Sequence, residues 1–444
     1  MERLPAWLLE TPLLAPWTVP VCVAVGVLLV LGLWVGRTRR RPWWVQALVV
    51  GVPAALALAS WWWVNVVWAP IPDGVAGPVF AWAALPVVVL AQAAVGPWRP
   101  RPLRWGLGGV VAVLAAVLCA TLGVNAHYSA YESLAVMTGR NVTWTDWDAV
   151  DTAPARQVVP VDRWTAPAGL PEHGTVSRVG IPATDARLAP RDAVVYLPPA
   201  YFAEERPALP VMILMAGVPG EPPDWFSAGH AAETMDAYAA AHHGLAPIVL
   251  SVDANGGGAL TNRLCWDGPD ARVETYLTQD VPAWIGRELQ TDRDRTHWAI
   301  GGLSNGATCA LQTVARTPDG FGTVLVFSGE LHPSLGTEER TIAEGFGGVR
   351  AAYAANDPLS LFAAAQRGEG PGADGAYRGV AGVVSVGRSD AYVGMPVPQE
   401  LVDAGRAAGM DLTLREYPGG HTWTVWSRAF ADQLPWAAGR MGLG

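Results

Sequence analysis

One serine in this sequence lies in a setting that suits nucleophilic chemistry. Ser304 is the middle residue of 302–306, GLSNG, between a strand-like run at 296–301 and a helix-like run at 307–315. A strand-to-helix turn this tight needs small residues two positions before and after the nucleophile, and it presents the serine oxygen above the helix N-terminus. The helix dipole and free N–H groups there favour an oxyanion. The pattern predicts a nucleophilic serine; a Gly-rich turn with a capping serine is the alternative.

A serine hydroxyl is a weak nucleophile near neutral pH, so it needs a base and a third group that orients the base. His421 is the candidate base, because it lies in a Gly-flanked loop directly after a strand-like run at 412–417. Asp390 is the candidate acid, because it follows an apolar strand and precedes His421. Asp253 also follows a strand, but it comes before Ser304 and would break the order Ser, acid, His. We expect Asp253 to be a structural or substrate-pocket residue.

An oxyanion hole needs two hydrogen-bond donors. The first candidate is the backbone N–H of Asn305, directly after the serine. The second is the N–H of Val218, because the loop 216–220 follows an apolar run at 211–215. The sequence has no metal-ligand spacing, phosphate-binding loop or dinucleotide fingerprint, so we predict a site without metal or cofactor.

The elements that must position these residues follow one another from residue 174 to the C-terminus. Strand-like runs lie at 176–181, 192–197, 209–215, 248–252, 297–300, 324–327 and 382–386, and helix-like runs at 233–242, 273–289 and 398–408. Alternation of this kind over ~270 residues predicts a three-layer α/β domain around a mostly parallel sheet. In such sheets the site lies at the carboxyl ends of the strands.

The first 125 residues predict a different environment. Four apolar runs, at 17–36, 43–68, 75–95 and 105–124, contain no ionisable residue. Each has about the 20 residues that a bilayer span needs, so we predict four transmembrane helices. A cleavable signal peptide is the alternative for the first run, but three further spans follow it. The spans contain no charge and no His, and Asn65 lies near the end of the second, so the pattern argues against a transporter and favours an anchor.

Arginine placement predicts the orientation of this anchor. The first and third connections hold Arg37, Arg39, Arg40, Arg41, Arg99, Arg101 and Arg104, whereas the second connection, 69–74, holds no basic residue. Basic connections face the cytoplasm, so both termini and the catalytic domain are expected outside the cell membrane.

Charge and boundaries follow the same division. Residues 1–125 carry eight arginines against three acids, a formal charge of +5, and the remainder carries −14. An acidic catalytic half argues against nucleic acid as a partner. We predict a four-span anchor at 1–125, a juxtamembrane linker at 126–170 and the catalytic domain at 171–444.

The four cysteines divide between these regions. Cys22 and Cys119 lie within predicted spans and are expected to behave as small apolar residues. Cys265 and Cys309 both fall in the outward domain, where oxidation is possible. We predict a disulfide between Cys265 and Cys309, although spacing alone does not establish that the two sulfurs meet.

The stretch from residue 174 to the C-terminus resembles the putative-esterase family of α/β-hydrolases, which includes esterase D, enterochelin esterase and the antigen-85-type mycolyltransferases. The resemblance rests on 217–220 with Asp224-Trp225, Asp253 with 255–258, 301–306, 327–329, and 420–423 with Trp426. It implies an α/β-hydrolase fold. The four spans ahead of this domain are similar to membrane-anchored esterases of actinobacteria. Ala216 and Asn305 depart from the family pattern, and they leave the acyl group and its acceptor open.

These observations predict an extracytoplasmic, membrane-anchored serine esterase or acyltransferase that acts on ester or envelope lipid substrates. An acyl-serine intermediate would pass its acyl group to water or to a sugar hydroxyl, and the fold does not decide between them. Membrane lipid is the other expected partner. The alternative is a catalytically silent envelope-binding protein on a hydrolase fold, against which the ordered Ser, acid and His candidates argue.

Overall fold

The computed structural model describes residues 5–35, 43–69, 74–95, 102–258, 260–394 and 396–444. The chain forms two compact units, Met1–Thr138 and Gly139–Gly444, called the helical unit and the α/β unit below. The predicted linker at 126–170 crosses this division. The last long helix of the helical unit continues to Tyr128, and the α/β unit begins at Gly139.

In its described residues, the helical unit contains four long helices and two short ones. They are α1 (Ala6–Leu9), α2 (Thr18–Val35), α3 (Trp43–Trp62), α4 (Gly77–Ala94), α5 (Pro102–Tyr128) and α6 (Leu134–Met137), with a π-helical turn at Trp63–Trp68 after α3. Asn65, in this turn, accepts a hydrogen bond from the N–H of Val75 at 2.6 Å and donates one to the Val75 carbonyl at 3.0 Å. The amide of an otherwise apolar segment is therefore satisfied locally, as its surroundings require.

Among the described residues of this unit, three helices are long and apolar enough to cross a membrane. They are Trp43–Trp68, Gly77–Ala94 and Leu107–Tyr128. Large apolar side chains on the unit are exposed, such as Leu58 at 70% and Leu28 at 68%. A surface of this kind suits lipid rather than water. The fourth predicted span corresponds to α2, whose apolar stretch with described side chains, Thr18–Leu33, is shorter than the other three. Four spans therefore remain a prediction, supported for three.

The α/β unit is built on one large sheet. Its strands are β1 (Gln157–Val159), β2 (Thr175–Val179), β3 (Ala193–Leu197), β4 (Glu205–Pro207), β5 (Val211–Met215), β6 (Ile248–Val252), β7 (Ala299–Leu303), β8 (Thr323–Phe327), β9 (Ala381–Gly387) and β10 (Asp411–Tyr417). Eight of them form a sheet in the order β10-β9-β8-β7-β5-β6-β3-β2, and β1 pairs with β4 separately. Only the β2–β3 and β3–β6 pairs within the sheet are antiparallel. The predicted mostly parallel sheet is confirmed.

Helices cover this sheet. They are α7 (Asp224–Ser227), α8 (Ala231–Ala241), α9 (Val273–Thr275), α10 (Val281–Glu288), α11 (Asn305–Arg316), α12 (Glu338–Arg340), α13 (Arg350–Ala354), α14 (Pro358–Gln366), α15 (Pro396–Ala407) and α16 (Trp423–Ala438). α14 packs on both α11 and α15, and α16 packs on α8. Every residue of β3 and of β5 to β9 is buried, so both faces of the sheet are covered. Burial on both faces explains why these strands are continuous apolar runs.

One predicted helix, 273–289, is interrupted. It consists of α9, a π-helical turn at Tyr276–Asp280, and α10. Pro282 lies at the start of α10 and has no N–H with which to continue the regular hydrogen-bond ladder. The interruption therefore lies where the chain loses a donor.

The strand registers align the ends of the central strands. Leu303 at the end of β7 pairs with Phe327 at the end of β8, and Phe327 pairs with Ser385 in β9. The last residues of β9 and β10, Gly387 and Tyr417, pair with each other. Residues that follow these four parallel strands therefore meet at one edge, called the carboxyl edge below.

Candidate active site

Ser304 lies at a sharp turn on the carboxyl edge. β7 ends directly before it and α11 begins directly after it, and its backbone has φ 52° and ψ −124°. Non-glycine residues rarely adopt such a conformation, because the side chain crowds the backbone. The turn lifts a partly exposed serine above the N-terminus of α11, which is the predicted arrangement.

Close backbone packing explains both glycines of the pentapeptide. A Cβ on Gly302 would collide with the carbonyl group of Gly306. A Cβ on Gly306 would collide with the carbonyl oxygen of Ala216, in the loop after β5. The two glycines therefore let the strand, the helix and the β5 loop approach one another around Ser304.

This approach brings the candidate oxyanion donors beside the serine. A Cβ on Gly217 would lie 3.1 Å from Cβ of Ser304, so the β5 loop touches the serine one residue before Val218. In the described part of the chain, no backbone carbonyl accepts the N–H of Val218. The N–H of Asn305 is at the first position of α11, where the helix itself offers no acceptor. Both amides are available to a bound oxygen, and their role in an oxyanion hole remains a prediction.

Asp390 and His421 form a hydrogen-bonded pair on the same edge. Nδ1 of His421 lies 2.9 Å from Oδ2 of Asp390, and the side-chain exposures are 14% for His421 and 0% for Asp390. The other carboxylate oxygen, Oδ1, accepts the N–H groups of Tyr392 and Val393, each at 3.1 Å. The carboxylate is fixed from both sides, and it holds the imidazole with Nε2 pointing away from the acid.

The Asp390 carboxyl favours its ionised form. Burial alone would raise its pKa, but the hydrogen bond and charge of His421, together with hydrogen bonds from Ser328 and the Val393 N–H, outweigh burial. The pKa of Asp390 therefore lies below its ordinary value. An ionised acid beside an imidazole can stabilise the imidazolium that forms when the imidazole takes a proton.

Ser304 and His421 both lie on the carboxyl edge, after β7 and β10, and in the sheet order β8 and β9 lie between these two strands. Both side chains are partly exposed there. Within the described residues, no hydrogen bond joins the Ser304 hydroxyl to His421. Catalytic hydrogen bonds of free enzymes often tighten only when substrate binds.

Asp253 lies in a different hydrogen-bond network. Its carboxylate accepts the backbone N–H of Arg191 at 2.9 Å, Nε at 2.8 Å and one terminal guanidinium nitrogen at 3.0 Å. The N–H groups of Asn255 and Gly256 also reach it, at 3.2 Å. These contacts support the structural alternative for Asp253. Sequence reasoning missed Arg191, and no local signal connects two residues so far apart in the chain.

A second set of residues that sequence reasoning missed holds Asn305. Nδ2 of Asn255 donates to Oδ1 of Asn305, and Nδ2 of Asn305 donates to Oδ1 of Asn262, each at 3.2 Å. Both partners lie in the loop after β6. The two asparagines of the Gly-rich segment 255–262 were the available signal. The network fixes the side chain of the residue whose backbone N–H is a candidate oxyanion donor.

The same loop is joined covalently to α11. Cys265 and Cys309 form a disulfide, with an S–S distance of 2.01 Å and Cα atoms 5.4 Å apart. Nε2 of Gln312, one turn farther along α11, donates to the Leu264 carbonyl at 3.1 Å. The β6 loop is therefore linked to the nucleophile helix by a covalent bond and a hydrogen bond.

The parts of the chain that the structure describes contain no cluster of metal-binding side chains. No group of three or more His, Cys, Asp or Glu side chains there could hold an ion. The cofactor-free mechanism remains a prediction.

The fold and the arrangement around Ser304 define an α/β-hydrolase of the serine-hydrolase type. A family model described as "Putative esterase" matches residues 189–374. An uncharacterized protein of Corynebacterium glutamicum is 34% identical over 432 residues, which cover 96% of each chain. The MPT51/MPB51 antigen of Mycobacterium bovis is 32% identical over 130 residues, 28% of this chain and 40% of the antigen. The chain belongs to the putative-esterase family.

A solved structure supports the fold. A ferulic acid esterase is similar to 60% of this chain over 99% of its own length, with 24% sequence identity and a TM-score of 0.51. The likeness concerns the α/β-hydrolase fold of the second unit.

Proposed function

We propose that the protein is a serine esterase or acyltransferase that works through an acyl-serine intermediate. Ser304 Oγ attacks the ester carbonyl carbon, His421 Nε2 takes the serine proton, and Asp390 orients and stabilises the imidazolium. The observation that carries this proposal is the buried Asp390–His421 hydrogen bond on the same sheet edge as the strained Ser304 turn.

His421 takes up and returns one proton in each of the two half-reactions. In the first, the C–O bond of the ester breaks, the alcohol leaves with the proton held by His421, and the acyl group stays on Ser304. In the second, His421 takes a proton from water or from an acceptor hydroxyl, whose oxygen attacks the acyl-serine. Ser304 then recovers its proton. The N–H groups of Asn305 and Val218 stabilise the negative oxygen in each tetrahedral intermediate.

We further propose that the α/β unit faces the outside of the membrane and acts on envelope lipids or other esters. Three long apolar helices, arginine-rich predicted connections and a disulfide in the α/β unit support this location. The resemblance to antigen-85-type mycolyltransferases supports a sugar hydroxyl as one acceptor, and water is the other. A reporter that is active only in the cytoplasm, fused after Gly444, should be silent; strong activity would reverse the orientation.

Labelling by a fluorophosphonate tests the nucleophile directly. Wild-type protein should be labelled, and Ser304→Ala should lose labelling and reduce kcat on a p-nitrophenyl ester by ~10³ or more. Ser177→Ala is the matched control, because Ser177 is buried in β2 at the far sheet edge and its hydroxyl has no hydrogen-bond partner among the described residues. A wild-type protein that resists the probe would instead support the catalytically silent, envelope-binding alternative.

Product analysis separates hydrolysis from transfer. The full-length protein in detergent is given a p-nitrophenyl ester with and without trehalose. Acylated sugar would show a transferase, whereas free acid in both reactions would show a hydrolase.

A further inference from the structure

A second serine on the carboxyl edge is placed much like Ser304 but is buried. Ser328 directly follows β8, has φ 52°, and is 1% exposed. Its backbone N–H donates to the Ser385 carbonyl at 2.7 Å, which continues the pairing of β8 with β9. Its hydroxyl accepts a hydrogen bond from Nε1 of Trp426 at 3.0 Å.

The Ser328 hydroxyl also acts on the acid of the proposed triad. Because the oxygen already accepts the Trp426 N–H, its own proton is free to donate, and a buried hydroxyl needs an acceptor. The Ser328 side chain is among the groups that lower the pKa of the Asp390 carboxyl, after the larger effects of burial, which raises it, and of His421. Two backbone N–H groups occupy Oδ1 of that carboxylate, and His421 occupies part of Oδ2. Ser328 thus favours the ionised form of the group that holds the base.

Trp426 touches the other member of the pair as well. It lies in the first turn of α16, five residues after His421, and its ring packs edge-on against the imidazole, with centroids 4.8 Å apart and planes at 89°. Trp423 packs against the same indole, with centroids 5.5 Å apart. The indole ring of Trp426 therefore contacts His421, and its N–H donates to the hydroxyl of Ser328.

We propose that Trp426 and Ser328 are positioning residues for the Asp390–His421 pair. The inference rests on the proposed serine mechanism. The indole limits rotation of the imidazole and orients the Ser328 hydroxyl, and that hydroxyl keeps the carboxylate in place and ionised.

The backbone at Ser328 supports a specific need for the hydroxyl. A non-glycine residue at φ 52° is uncommon and costs energy, and glycine or asparagine would adopt this conformation more easily. A serine there retains a side chain that can accept from Trp426 and donate to Asp390 at once. A merely space-filling residue would do neither.

The test uses full-length enzyme with Ser328→Ala and Trp426→Phe. Each variant removes one hydrogen-bonding group, and Trp426→Phe retains an aromatic ring against His421. Each should lower kcat/KM by about tenfold, the order of effect expected when one hydrogen bond that supports a charged group is lost. Each should also move the acidic limb of the kcat/KM profile to higher pH, because a carboxylate that loses a donor holds protons on the Asp390–His421 pair more strongly. The double variant should be little worse than either single one.

Ser385→Ala is the matched control. Ser385 is also a buried serine whose hydroxyl accepts a hydrogen bond from an α16 side chain, that of Gln433, but this hydroxyl does not contact the acid–base pair. Its profile should keep the wild-type shape. A Ser328→Ala or Trp426→Phe profile that superimposes on that of wild type, or an equal shift in Ser385→Ala, would overturn the proposal.

Fluorophosphonate labelling of the wild type tests the proposed serine mechanism separately, so a failure of the mechanism can be distinguished from a failure of the positioning role. If Ser328→Ala does not fold, Trp426→Phe decides the question.

Discussion

The carboxyl ends of β6 and β9 look alike in sequence and differ in chemistry. Each apolar strand is soon followed by a buried aspartate, Asp253 or Asp390. For both carboxyls, burial alone would raise the pKa, and a neighbouring cationic or imidazole group lowers it below the ordinary value. The partner is Arg191 at the end of β6 and His421 at the end of β9.

The partner decides what each aspartate can do. A guanidinium stays protonated in proteins, so the Arg191–Asp253 pair can fix a loop but cannot move a proton. An imidazole exchanges its proton near neutral pH, so the Asp390–His421 pair can support general base catalysis. Two aspartates with similar burial and similarly shifted pKa values therefore have different expected roles. A perturbed pKa marks a candidate site, but its cause must be known.

The largest expected effect tests this difference in activity. Asp390→Asn should lower kcat on an ester by ~10³ to 10⁴, because an amide favours the wrong imidazole tautomer. Asp253→Asn should reduce activity far less. Steady-state kinetics on both variants, after circular dichroism shows that each is folded, provides the measurement. Near-full activity in Asp390→Asn with loss in Asp253→Asn would exchange the two roles.

The sequence was sufficient for the elements and residues that local patterns define. Ser304 was found from two glycines and a strand-helix context, and the buried strands from continuous apolar runs such as β5 and β8. Asp390 and His421 were placed by chain order and by their positions after strands. The structure brings this pair together, and the residues' catalytic roles remain predictions.

Contacts between distant segments were beyond sequence reasoning. Arg191 precedes β3, at the opposite part of the sheet order from β9, and reaches Asp253 only because β3 pairs with β6. Ser328 and Trp426 meet across 98 positions of sequence. Neither contact has a periodic signature, since each depends on the packing of the finished sheet. The 126–170 segment, predicted as a linker, likewise contains β1, which is ordered by pairing with β4.

The next effect concerns the disulfide that connects the β6 loop to α11. Replacing Cys265 and Cys309 by serine should destabilise the α/β unit by up to about 4 kcal/mol, the chain-entropy value for a loop of this length. Urea unfolding of the full-length protein in detergent, monitored by susceptibility to proteolysis, measures the change in the free energy of unfolding. Replacing Cys22 and Cys119, the free cysteines of the helical unit, should leave the α/β unit unchanged.

Peptide mapping without reductant provides the direct check on this bond. Cys265 and Cys309 should be recovered in one linked peptide from freshly isolated protein. Recovery of two free thiols would show that the disulfide does not form and that hydrogen bonds alone connect the β6 loop to α11.

A smaller effect on stability is expected from the β6 carboxylate itself. Asp253→Asn should lower the free energy of unfolding by about 3 kcal/mol, because it leaves the guanidinium of Arg191 half-buried with a weakened partner. Arg191→Lys is the matched variant, which keeps the charge but loses the forked geometry. Urea midpoints at neutral pH measure both. A fully stable Asp253→Asn protein would show that the pair adds no net stability.

The smallest expected effect comes from a third carboxyl, that of Asp224, which lies after the β5 loop. Asp224 differs from Asp253 and Asp390 because no neighbouring group cancels the effect of burial on its pKa. Burial raises the pKa of Asp224 from 3.8 to about 6; the N–H of Glu221 and the charge of Arg191 oppose the rise only partly. A carboxyl with a raised pKa in the folded state stabilises the fold below its unfolded pKa, and this contribution is lost as pH rises through about 6. Between pH 4.5 and 7.5 the free energy of unfolding of wild type should therefore fall by about 2 kcal/mol relative to that of Asp224→Asn.

Comparing the two proteins cancels the opposite trends of Asp253 and Asp390, whose lowered pKa values favour stability at higher pH. Urea midpoints at both pH values provide the measurement, and parallel pH dependence in the two proteins would show that Asp224 is not held in the protonated form by its burial.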